Sequence, residues 1–163
     1  MTDTRPGGGA LLLLWAVFAL HNWEEARGLA QWAAAEGLAP DWLTPLVYQT
    51  AVAGVMVAST LFLLLCWSSP RNTIIRFLLL AFVGALAVNG VAHVLGSALT
   101  MSVMPGVLSA VALLLPVSIK ILLNWELTRN QWIGLVLAGV LVNAGGAATA
   151  VWLARLIVAR AVA

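Results

Sequence analysis

Apolar residues in this chain come in runs long enough to cross a bilayer, and that feature constrains its fold more than any other. The runs cover residues 10–20 and about 46–67, 74–99, 107–123 and 133–158. A membrane span needs roughly 20 such residues. Inside hydrocarbon every backbone N–H and C=O must be paired internally, which favours helices. The pattern predicts an all-α membrane protein, a bundle of five transmembrane helices forming one domain over residues 10–160. Residues 1–9, polar and Gly-rich, are expected to be disordered.

Composition excludes the alternatives. Of 163 residues, 63% are hydrophobic and only 9% are charged, against about 25% charged in soluble domains. Cys66 is the lone cysteine, so a disulfide scaffold is excluded. The Lys and Arg residues are scattered, which gives nucleic-acid binding no support. Arg5 ahead of an apolar core also suits a signal peptide. However, the small residues Ala33-Ala34-Ala35 lie well beyond that core, past Glu24 and Glu25, so the run is read as a span.

Five spans put the two ends of the chain on opposite sides. Arg5, Arg71, Arg76, Lys120 and Arg129 then share the N-terminal side, against Arg27, Arg155 and Arg160 on the other. The positive-inside rule therefore places the N-terminus in the cytoplasm. Trp42, Trp67, Trp125 and Trp132 fall near span ends, as an aromatic belt requires. Pro116 is a candidate kink in the fourth span. In the fifth, Gly134, Gly139, Gly145 and Gly146 suit close helix packing, either within the bundle or in a homodimer. No internal repeat is present, so an inverted-repeat transporter is not suggested.

Ionisable groups within a bilayer are expensive and mark function. Two clusters qualify. His21-Asn22-Trp23-Glu24-Glu25 ends the first run, and on a helix His21 shares a face with Glu24 and Glu25. Asn89 and His93 are likewise four residues apart in the third span. His21 lies about 16 Å and Glu25 about 22 Å along the helix from Ala10; Asn89 and His93 lie about 22 and 28 Å from Ile74. Both spans run the same way, so both clusters occupy the half of the membrane away from the N-terminus. Tyr48, Gln49 and Met104-Pro105-Gly106 enter from that side too.

Two His and a carboxylate leave open positions on Zn²⁺ or Fe(II), as catalysis needs. The assignment is His21, Glu25 and His93 as metal ligands and Glu24 as acid/base, with the two Glu interchangeable at this level. Asn89, Trp23, Tyr48 and Gln49 are expected around substrate or behind the ligands. A di-iron carboxylate site would need more acids.

These residues resemble the HXXEE-motif membrane proteins. His21-Asn22-Trp23-Glu24-Glu25 matches the motif, Asn89 and His93 match a later Asn-x-x-x-His, and Pro105-Gly106 match a following Pro-Gly. Met104 stands where an aromatic is usual. The resemblance covers about the first two-thirds of the chain and implies a small multi-span bacterial protein, hence the inner membrane. It implies no settled common reaction.

Three functions are open on this ground. The first is a metal-dependent intramembrane enzyme with hydrolase-like or oxidative chemistry on a lipid, isoprenoid or other apolar small molecule. The second is a metal-free isomerase or cyclase of a polyene, with Glu24 or Glu25 as acid and Trp23 and Tyr48 steadying a carbocation. The third is a non-enzymatic subunit of a proton or metal transport complex.

Overall fold

The computed structural model describes residues 7–161, and among these every regular element is helical. Residues 1–6 of the expected disordered segment lie outside the described range, whereas Gly8 and Gly9 already belong to the first helix. The elements are α1 (Gly8–Ala35), α2 (Pro45–Ser68), α3 (Thr73–Thr100), α4 (Val107–Leu123, with a π turn at Ala110–Leu114) and α5 (Arg129–Ala161). Three of the five, α2, α3 and α5, are long and apolar enough to cross a membrane. The sequence predicts five spans, and length and apolarity single out these three. The polar HNWEE segment lowers the hydropathy of α1, and α4 is a shorter apolar helix.

Local chemistry sets the boundaries. Helix α1 runs fifteen residues past the apolar run that ends at Leu20, because Glu24 to Ala35 is rich in helix formers and holds no proline. Backbone bonds from Gly37 to Ala34 and from Leu38 to Ala33 then close its last turn. Thr44 caps α2 through the Val47 N–H, with Pro45 in the first turn where no donor is missed. Asn72 caps α3 by accepting from Ile74 and Ile75. Thr128 and Gln131 bond each other's backbone N–H, a capping box that starts α5. Pro116 has no N–H for the carbonyl four residues back, and the wide π turn of α4 lies just ahead of it.

The core is a seam between α1, α3 and α4, closed by α2 and α5. Leu11, Leu14 and Phe18 of α1 meet Leu79, Val83 and Leu86 of α3, with Leu63 of α2, Leu114 and Ile121 of α4 and Leu135 of α5 around them. Along α1 the buried positions 11, 14, 18, 21 and 25 step by three and four, as do 79, 83, 86, 90 and 93 along α3. His21, Glu25 and His93 are therefore continuations of the hydrophobic seam. Packing of the seam fixes their depth and direction.

Helix α5 lies against α2 and α3. A Cβ on Gly139 would come within 2.9 Å of the Gly84 backbone, so the two helices touch main chain to main chain there. Gly139 thus packs within the bundle, while Gly134, Gly145 and Gly146 have nothing within 4 Å of a Cβ.

Candidate functional site

Where the seam ends, α1 and α3 bring together the two histidines and one carboxylate. His21 is 0% exposed, His93 2% and Glu25 7%, so the cluster is shut off from solvent. Glu25 Oε1 lies 2.5 Å from His93 Nε2 and 3.4 Å from His21 Nε2. Its other oxygen, Oε2, accepts from the Tyr48 hydroxyl of α2 at 3.1 Å. Three helices thus converge on one carboxylate, as the shared depth predicts.

Hydrogen bonds set the tautomer of His21. The Asn89 amide donates to Nε2 at 2.8 Å, so Nδ1 carries the proton and donates to Ser109 Oγ at 3.0 Å. Ser109 in turn donates to the Gly106 carbonyl at 3.1 Å. Nε2, whose single lone pair accepts from Asn89, lies 3.4 Å from Glu25 Oε1, acceptor beside acceptor. Such an electron-rich point attracts a proton or a metal ion.

The two glutamates now separate. Glu25 belongs to the cluster, whereas Glu24 is half-buried and accepts the Ser109 N–H through Oε2 at 3.1 Å. That N–H belongs to the first turn of α4 and has no partner within the helix, so the negative charge sits at a helix start. The short loop before α4 is equally constrained. Gly106 has φ +96, and a Cβ there would lie 2.6 Å from His93 Cε1 and 3.0 Å from His21 Cε1. The Pro-Gly step lays bare backbone across both imidazole rings, whose centroids are 4.7 Å apart and nearly perpendicular. Pro105 meanwhile fills the groove over Gly28, where a Cβ would lie 3.0 Å from its Cγ.

Two expected site residues face elsewhere. Trp23 is 55% exposed on the outer surface, with the Arg27 guanidinium 4.7 Å from its ring centroid. Gln49 is exposed and donates to the Ala26 carbonyl at 3.3 Å, tying α2 to α1. Ser109 is not singled out by the sequence, because its contacts to His21 and Glu24 join positions more than 80 residues apart.

His21, Glu25 and His93 each offer a ligand atom, all within 4.8 Å of one another, and so could hold a metal ion. Donors bound at about 2.1 Å on a tetrahedral ion stand about 3.4 Å apart. The His21–Glu25 pair already has that separation, 3.4 Å, although the Asn89 amide must release Nε2 before it can ligate. The His93–Glu25 pair, at 2.5 Å, is a hydrogen bond that must open and lose its proton. Nδ1 of His93 has no hydrogen-bond partner among the described residues.

Fold and site together define a class: an all-helical bundle, with helices fit to cross a membrane, that buries a His/Glu cluster where its seam ends. Residues 12–121 match the family described as "Protein of unknown function with HXXEE motif", and the chain belongs to that family. The matched region runs from α1 into α4 and contains His21, Glu24, Glu25, Tyr48, Asn89, His93, Gly106 and Ser109; α5 lies beyond it. No curated protein and no solved structure matches the chain.

Proposed function

We propose that this protein is an intramembrane metal-dependent enzyme acting on a lipid, isoprenoid or other apolar small molecule. In this reading all five helices span a bacterial inner membrane, with the N-terminus in the cytoplasm. The observation that carries it is the buried His21/Glu25/His93 group, whose ligand atoms lie within 4.8 Å of one another. Zn²⁺ or Fe(II) suits two imidazoles and one carboxylate, and would supply Lewis-acid or oxidative chemistry. Ser109 holds the His21 ring through Nδ1, and Nε2 is free to ligate once the Asn89 amide that donates to it turns away. Tyr48 orients Glu25, and Glu24 beside them is the carboxylate left to hold or move a proton. The surrounding apolar helices favour a substrate that arrives through the bilayer.

The test is turnover in proteoliposomes made from a bacterial lipid extract, read by mass spectrometry. The expected result is a lipid change that needs Zn²⁺ or Fe²⁺, stops with chelator, and is absent with His93→Ala. A change that survives exhaustive metal removal would favour metal-free acid/base catalysis. The short Glu25–His93 hydrogen bond, 2.5 Å, is the observation on that side.

A further inference from the structure

A second feature lies at the opposite end of the bundle. Glu25 is seventeen residues along α1 from Gly8, about 26 Å at the helical rise. Beside Gly8 the starts of α1 and α3, the end of α2 and the loop after α4 line a half-open cavity of about 280 Å³. Leu11, Leu79, Trp67 and Trp125 make much of its wall, and Arg76 is the one charged residue lining it among the described residues. Its guanidinium lies 5.2 Å from the Trp125 ring centroid. Arg76 Nε is buried with no hydrogen-bond partner among the described residues.

That arrangement is incomplete as it stands. A guanidinium offers five donors in a planar fork, and stacking on a ring uses its face rather than its edge. Leaving the buried Nε–H unpaired between apolar walls is costly. No carboxylate lines the cavity among the described residues. Arg71, Lys120 and Arg129 belong to the same side of the bundle in the five-span reading. Basic pockets between helices on such a side take anionic lipid head groups. At about 280 Å³ the cavity has room for a phosphate and the first carbons attached to it.

We propose that this cavity is a binding site for the phosphate head of an anionic lipid, held edge-on by Arg76 while Trp125 backs the guanidinium. The site is independent of the His/Glu cluster and does not rest on its being an enzyme. Native mass spectrometry of the full-length protein from detergent, titrated with phosphatidylglycerol, phosphatidylcholine or inorganic phosphate, tests it. Phosphatidylglycerol adducts are expected to exceed phosphatidylcholine adducts. Arg76→Gln should weaken them about tenfold or more, the worth of one charge-assisted hydrogen bond. The exposed Arg129→Gln should leave them unchanged. Ile75→Trp, which keeps the arginine and fills the cavity, should also remove them and covers the case of an unfolded Arg76→Gln. Equal phosphatidylglycerol binding by wild type and Arg76→Gln, or by wild type and Ile75→Trp, would overturn the proposal. Displacement by inorganic phosphate at matching concentration would overturn the lipid assignment.

Discussion

Replacing Gly106 by alanine probes the loop that covers the histidines. The φ of +96 costs a residue with a Cβ about 1–2 kcal/mol. The new methyl would also stand 2.6 Å from His93 Cε1 and 2.8 Å from His93 Nδ1. Both atoms belong to a ring hemmed in by the seam, so the clash cannot be relieved by one flexible tip. Overpacking of this kind adds about 1–3 kcal/mol. Gly106→Ala is therefore expected to destabilise the protein by about 2–5 kcal/mol and to push the His93 ring off Glu25, weakening metal binding as well. Thermal unfolding in detergent gives the first quantity, and metal titration of the surviving folded fraction gives the second. Gly145→Ala is the control: nothing lies within 4 Å of its Cβ, and alanine gains up to about 1 kcal/mol in a helix. Equal melting temperatures and equal metal affinity for Gly106→Ala and wild type would refute the reasoning.

Other outcomes follow from the same contacts. Glu25→Gln should abolish metal binding while Glu24→Gln retains it, because only Glu25 reaches the histidines; equilibrium dialysis against Zn²⁺ separates the two. Ser109→Ala should cost metal affinity about 10–100-fold, the usual effect of removing the hydrogen bond behind a ligating imidazole, and unchanged affinity would remove Ser109 from this role. Gly139→Leu should disrupt the α3–α5 contact and lower the melting temperature, whereas Gly146→Leu should not, since only Gly139 meets backbone. Reporter tags at the two ends of the chain should appear on opposite sides of the membrane, and both on one side would refute five spans.

Much of this was legible in the residues, for physical reasons that also explain the rest. Apolar runs located α2, α3, α4 and α5 because helical hydrophobicity is a property of the segment itself. The end of α1 was not legible that way: after Leu20 its helix is held by helix-forming residues and by contacts of its inner face alone. Four-residue spacing placed His21 with Glu25 and Asn89 with His93. It could not decide between Glu24 and Glu25, because offsets of three and four both share a face. The decision lies in the seam, whose three-four stepping from Leu11 onward reaches Glu25 and leaves Glu24 beside it. Trp23 is two residues from His21, and so points away on a helix, to lie under Arg27. Ser109 and Gly106 gain their meaning only when α4 folds back over α1, a contact between positions more than 80 residues apart that no local pattern encodes.

Elemental analysis of the detergent-purified protein, wild type beside His21→Ala/His93→Ala, decides whether the His/Glu cluster holds a metal. About one Zn or Fe per wild-type chain is expected, and none in a double variant that remains helical. Wild type without metal after purification free of chelator, or metal retained in the double variant, would contradict a metal site there.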